Sequence, residues 1–102
     1  MHLEDEFLVI LKMELTRIIG KYLSLNEFKI FFFGSRVKGD NFSKADIDVG
    51  IDGEKRIPAG IKLQIEEELE KIPIPYKIDL VDFKDVSEEF KENVLKSIEY
   101  VA

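Results

Sequence analysis

Gly34-Ser35-Arg36-Val37-Lys38-Gly39, followed after a polar interval by Asp46-Ile47-Asp48-Val49-Gly50-Ile51-Asp52, is the centre of the chain's organisation; residues 34–52 are GSRVKGDNFSKADIDVGID. Just before it, Lys29-Ile30-Phe31-Phe32-Phe33 is a continuous apolar run, the pattern of a strand covered on both faces of a sheet. Gly34 permits a tight turn or the close approach of another group to the backbone. Ser35 suits the cap of a short helix over about Arg36 to Gly39. Residues 40–45 are polar and open on turn formers, so a loop is expected. From Asp46 to Ile51 the chain alternates: Ile47, Val49 and Ile51 belong to one strand face, Asp46, Asp48 and Gly50 to the other. Both carboxylates therefore aim at the same side of the sheet. Asp52-Gly53 is expected to end this strand in a turn.

Working outward, Leu3, Phe7, Leu11, Leu15, Ile18, Tyr22 and Leu25 step by three and four, which predicts an amphipathic helix over residues 3–25. C-terminal to the stretch, Pro58 can open a second helix whose apolar side is Ile61, Ile65, Leu69 and Ile72. Its acidic run, Glu66, Glu67, Glu68 and Glu70, is read as a solvated face, and Pro73 and Pro75 stop it. Tyr76 to Phe83 alternates as a third strand, with Asp79 and Val81 opposite Ile78 and Leu80. Ser87 caps a last helix, with Glu88 and Glu89 in its first turn and Phe90, Val94, Leu95 and Ile98 as its buried side. The order is α-β-(α)-β-α-β-α, an α+β class with α/β-like character: a small mixed sheet of three or more strands flanked by helices, in one domain over residues 1–102.

Composition narrows the function. A chain of 102 residues, 45% hydrophobic, can bury a modest core. It has no cysteine, so neither a disulfide framework nor a thiolate metal site is available, in keeping with a cytoplasmic location. No apolar run approaches the ~20 residues of a membrane span, and the N-terminus MHLEDEF is acidic, unlike a signal peptide. The net charge of -6 argues against direct nucleic-acid binding but leaves room for a nucleotide held with Mg²⁺.

The chemistry resides in a combination. Asp46 and Asp48 supply hard oxygen ligands from one strand, and Asp79 can face the same side from another. Gly34-Ser35 leads into a helix N-terminus that favours phosphate, with the Ser35 hydroxyl as a further donor and Arg36 and Lys38 as nearby cations. Three carboxylates facing one way repel one another unless cations are bound. Phosphoryl and nucleotidyl transfer use such a set to hold a pair of Mg²⁺ ions. Asp82 is a rival to Asp79 for the third carboxylate, while Asp52 shares the parity of the pair but lies at the expected turn.

The stretch resembles the G-S-x-x-x-G…D-x-D signature of the DNA polymerase β-like nucleotidyltransferase superfamily, and Ile78-Asp79-Leu80-Val81-Asp82 resembles its third-carboxylate strand. The small size is similar to that of the minimal nucleotidyltransferases, which are commonly antitoxin partners of HEPN-domain toxins. The resemblance implies the nucleotidyltransferase fold. It implies Gly34 and Ser35, with Arg36 and Lys38, as nucleotide-binding residues, and Asp46, Asp48 and Asp79 as a catalytic triad holding two Mg²⁺ ions, with Asp79 the general base. Lys38 stands where family members often have Arg, and Ala45 where they often have Ser.

What the resemblance implies for function is Mg²⁺-dependent transfer of AMP from ATP, or another NTP's monophosphate, to a hydroxyl. The expected acceptor is a tyrosine of a partner HEPN toxin, in a hetero-oligomer in which this chain is the antitoxin. The alternatives are a nucleotide-binding antitoxin that neutralises its partner by occlusion without catalysis, and a small-molecule nucleotidyltransferase. Phe42, alone in the polar loop, is open between stacking on a base, docking a partner and packing on the sheet.

Overall fold

Phe31 and Phe32 point to opposite faces of one strand, and both are buried. That double burial organises the protein. The computed structural model describes residues 5–34, 37 and 46–101. Within them the chain forms α1 (Asp5–Tyr22), β1 (Phe28–Phe33), β2 (Ile47–Gly53), α2 (Ala59–Leu69), β3 (Ile78–Asp82), α3 (Glu88–Val94) and β4 (Glu99–Tyr100). The strands form one mixed sheet in the order β3-β2-β1-β4. β1 runs antiparallel to both β2 and β4. β2 and β3 are parallel, a pairing that needs a crossover connection, here containing α2. The expected α+β fold class is the one observed.

Each sheet face has its own core. Ile30, Phe32, Val49, Ile51 and Leu80 pack with Leu11, Leu15 and Ile18 of α1 and with Ile65 and Leu69 of α2. On the other face Phe31, Phe33 and Phe83 form a smaller aromatic cluster, joined by Val81, Val86, Val94 and Ile98. Phe83 meets Phe31 edge-on at 4.9 Å and Phe33 at 5.2 Å, geometries worth about 0.5–1.5 kcal/mol each beyond simple burial. Gly50 makes this cluster possible. A Cβ there would stand 2.5 Å from the Phe31 ring and 2.6 Å from that of Phe83.

Several boundaries differ from the expected ones. α1 ends at Tyr22, where the chain turns through Ser24, whose carbonyl accepts from the amides of Glu27 and Phe28. Leu25 is consequently exposed, and Ile19 and Leu23 enter the core instead. β2 does not turn at Asp52-Gly53 but continues through both, because Lys29 and Phe28 pair with them. α3 stops at Val94, and Phe90 and Leu95 are exposed rather than buried. Its cap is as expected: the Ser87 hydroxyl accepts from the Phe90 amide at 3.1 Å. β4 was not anticipated. Its two residues oppose Phe31 and Phe32, and the following Val101 amide bonds the Ile30 carbonyl at 3.0 Å. The acidic side of α2 is not wholly solvated either. Glu68 accepts hydrogen bonds from the Lys21 ammonium and the Tyr22 hydroxyl, tying α2 to α1. Those two bonds hold its carboxyl below the usual carboxylate range, and the bond to Glu68 raises the Tyr22 hydroxyl above its own.

Asp82 is a structural residue. It lies on the Leu80 face of β3, 3% exposed, with one oxygen accepting from the Ile57 amide at 2.8 Å and the other from the Lys84 amide at 2.9 Å. Asp82→Ala leaves both donors without their acceptor and is expected to destabilise the protein by about 3 kcal/mol. Asp82→Asn, which keeps one acceptor oxygen, should lose roughly half of that. Urea denaturation of the two variants checks both figures.

Candidate active site

The register of β2 on β3 sets Asp48 directly beside Asp79. Neighbouring strands are ~4.8 Å apart and register partners share a face, so the two carboxylates leave the sheet side by side. Phe33 opposes Asp48 on the other flank, which brings the end of β1, and Gly34 after it, to the same place. Asp46 precedes β2 and is exposed, while the intervening Ile47 amide is fixed to the Lys77 carbonyl at 2.8 Å. The site is thus the meeting point of the end of β1 with the starts of β2 and β3, on the sheet face that carries the phenylalanine cluster.

Gly34 is the tightest element of the site. Its φ of +86° lies in the left-handed region, which side chains disfavour. A Cβ on Gly34 would stand 2.2 Å from an Asp48 carboxylate oxygen and 3.1 Å from its carboxyl carbon. The backbone at Gly34 therefore lies against the carboxylate, and only glycine allows it. The Gly34 carbonyl accepts the Val37 amide at 3.2 Å. Ser35, Arg36 and Lys38, expected to bind nucleotide, lie outside the described residues, as do Ala45 and Phe42.

Electrostatics link the three aspartates. Burial pushes the Asp48 carboxyl above its ordinary value, and the negative charges of Asp79 and Asp46 push it further the same way. Ionising this group is made easier by a cation. The donor set consists of carboxylate oxygens alone, the chemistry of hard divalent ions such as Mg²⁺. Among the described residues no group of three or more His, Asp or Glu side chains stands in an arrangement that would hold a metal ion. The donor chemistry fits a divalent cation, and the three side chains as they stand do not form its complete shell.

Two other aspartates are accounted for differently. Asp82 points to the opposite sheet face and is engaged by backbone amides, so Asp79 is the β3 aspartate that faces Asp48. Asp52 lies on the site face but is paired with Lys91 of α3 at 3.2 Å. It fastens α3 over the sheet. Sequence reasoning missed this pair because its partners are 39 residues apart. It also missed the exposure of Phe90, whose helical spacing mimics a buried position.

Comparison with known proteins bears on the family and the fold. The family described as Polymerase beta, Nucleotidyltransferase matches residues 14–101. A relative from Haemophilus influenzae named probable protein adenylyltransferase MntA is 29% identical over 94 residues, covering 92% of this chain and 77% of its own. A toxin–antitoxin structure with AMP-PNP superposes with a TM-score of 0.69 at 16% identity, over 89% of this chain and 72% of the other. A tri-AMPylated Shewanella oneidensis HEPN toxin in complex with MNT antitoxin gives a TM-score of 0.57 at 19% identity, over 89% and 71%. At these identities the two structures show a shared fold.

Two substitutions test the geometry. Asp48→Asn removes a charge that folding makes harder to ionise. A folded-state pKa above the unfolded one lowers stability as pH rises through that interval. In EDTA at neutral pH the variant should therefore melt above the wild type, with the difference vanishing as acidification protonates Asp48. Gly34→Ala must relieve both a positive φ and the clash with Asp48, and should cost about 1–3 kcal/mol in a denaturant titration.

Proposed function

The chain belongs to the polymerase beta nucleotidyltransferase family, and from that premise we propose that it transfers AMP from ATP to a hydroxyl, with a tyrosine of a HEPN-domain toxin as acceptor. In this reading it is the antitoxin of the pair. The observation that carries the proposal is the side-by-side placement of Asp48 and Asp79 against Gly34, on a chain similar to a protein adenylyltransferase. A likeness in fold to a complex containing an AMPylated HEPN toxin supports the choice of donor and acceptor.

Asp46, Asp48 and Asp79 would hold two Mg²⁺ ions. When bound, such ions neutralise the triphosphate and make the attacking oxygen more nucleophilic. The chain's own part is to position and to move one proton. Gly34 brings backbone close to the Asp48 carboxylate and opens the turn assigned to the phosphates, with Ser35, Arg36 and Lys38 as the further phosphate ligands. Asp79, exposed at the edge strand β3, is open to an incoming acceptor and takes the proton of its hydroxyl. The acceptor oxygen attacks the α-phosphorus, a new O–P bond forms, the bond to the bridging oxygen breaks, and pyrophosphate leaves. The compartment proposed for this reaction is the cytoplasm; no helix among the described residues is long and apolar enough to cross a membrane.

Incubation with ATP, Mg²⁺ and a HEPN protein from the neighbouring gene should add AMP to the HEPN protein, read by intact mass. Asp79→Asn should slow the transfer by about 10²–10⁴-fold, as expected for loss of a general base. Asp48→Ala should abolish the mass shift while leaving the two proteins associated. Neutralisation of the toxin with no mass shift, unimpaired by Asp48→Ala, would instead identify occlusion as the mechanism.

A further inference from the structure

The sheet face that carries Asp48 and Asp79 does not end at the carboxylates. Along β1 and β2 it becomes the phenylalanine cluster, and above that cluster stands Phe90 of α3. The Phe90 ring centre is 6.3 Å from that of Phe33, at a near-perpendicular 88°, and 6.0 Å from that of Phe83. Phe33 is the register partner of Asp48 and precedes Gly34. Phe90 is nonetheless 42% exposed. An aromatic ring in a short amphipathic helix beside a well-packed cluster would ordinarily be turned inward, since burial of a phenylalanine is worth roughly 1.5–3 kcal/mol.

Two contacts fix α3, and with it Phe90. The Ser87 hydroxyl caps the helix by accepting the Phe90 amide itself, and Lys91, the next residue, is paired with Asp52 of β2 at 3.2 Å. The exposed ring therefore has a set position on the site face. Of its two neighbours, Phe33 opposes Asp48 itself and Phe83 stands against Gly50, two residues along β2 from Asp48, a distance of about 7 Å at the rise of a strand. A nucleotide whose α-phosphate lies at Asp48 has its base one ribose away, a span of this order. Tyr100, the other exposed aromatic on this side, opposes Phe31 and already has the Lys29 ammonium 5.9 Å from its ring centre.

We propose that Phe90 is the stacking platform for the nucleobase of the nucleotide bound at Asp48 and Asp79. This rests on the nucleotide site proposed above. Stacking accepts any base face, so the platform would provide affinity for the nucleoside without choosing among bases. Phe90 is a positioning residue: it holds the nucleoside and takes no part in bond making.

Direct binding tests it independently of transfer. AMP-PNP and inorganic tripolyphosphate, each with Mg²⁺, are titrated calorimetrically into the wild type and into Phe90→Ala, Phe90→Leu and Phe90→Trp. The expected result is an about 10-fold loss of AMP-PNP affinity in Phe90→Ala and Phe90→Leu, retention in Phe90→Trp, and tripolyphosphate binding equal in all four. A loss of both ligands in Phe90→Ala and Phe90→Leu alike would mean a structural role and overturn the proposal. So would unchanged AMP-PNP affinity in Phe90→Ala, including the case where transfer to the HEPN protein falls because Phe90 docks the acceptor. Absence of AMP-PNP binding by the wild type also overturns it. Phe90-dependent binding without any AMP transfer would leave the platform standing and remove the transferase reading instead.

Discussion

Two carboxylates are forced together by backbone hydrogen bonding. The parallel register of β2 and β3 opposes Asp48 to Asp79, and sliding it by one residue would turn every apolar side chain of β3 to the wrong face. The core therefore enforces a repulsion that the site alone would relax. Ile78 and Leu80 pack toward α1 and α2, and that packing is what holds Asp79 on the other side. The Asp48 carboxyl is raised by burial and by its acidic neighbours, an unfavourable state without a compensating cation. Like charges held at this separation by a rigid sheet have no packing use, whereas they suit the hard divalent ions of phosphoryl chemistry.

The same sheet divides labour between its faces. One is purely structural, closed by α1 and α2, with Asp82 buried in service of the loop before α2 and of the turn after β3. The other is only partly covered. α3 is seven residues long and none of them is buried, and among the described residues it is the helix that packs on the phenylalanine cluster. In the proposed reading, this short cover suits a protein that admits both a nucleotide and a protein acceptor. The Lys91–Asp52 pair, half-buried and charge-assisted, keeps the short helix in register with the sheet.

Much of this was legible because periodicity and side-chain direction are coupled. The alternation of Asp46 to Ile51 and of Ile78 to Asp82 put Asp48 and Asp79 on one face, and the paired strands place them there. The unbroken run Ile30 to Phe33 announced a strand covered on both sides, and β1 is interior to the sheet. What escaped depends on tertiary pairing. β4 is two residues long, too short for any period, and exists because β1 offers it an edge. Phe90 has the spacing of a core residue, and its exposure follows from where Asp52 holds α3. Asp82 looked like an alternative ligand because one-residue parity separates a site carboxylate from a buried turn acceptor. Glu68 reads as one more solvated acid until α1 brings Lys21 and Tyr22 to it.

In the proposed function, carboxylates from β2 and β3 gather metal and nucleotide against Gly34. A crystal structure with Mg²⁺ and AMP-PNP examines this most directly. The expected result is metal density between the Asp48 carboxylate and the nucleotide phosphates, with Asp79 turned toward the same position and the phosphates beside Gly34. Nucleotide or metal bound away from Asp48 and Asp79, on the α1–α2 face or between Asp52 and Lys91, would contradict it.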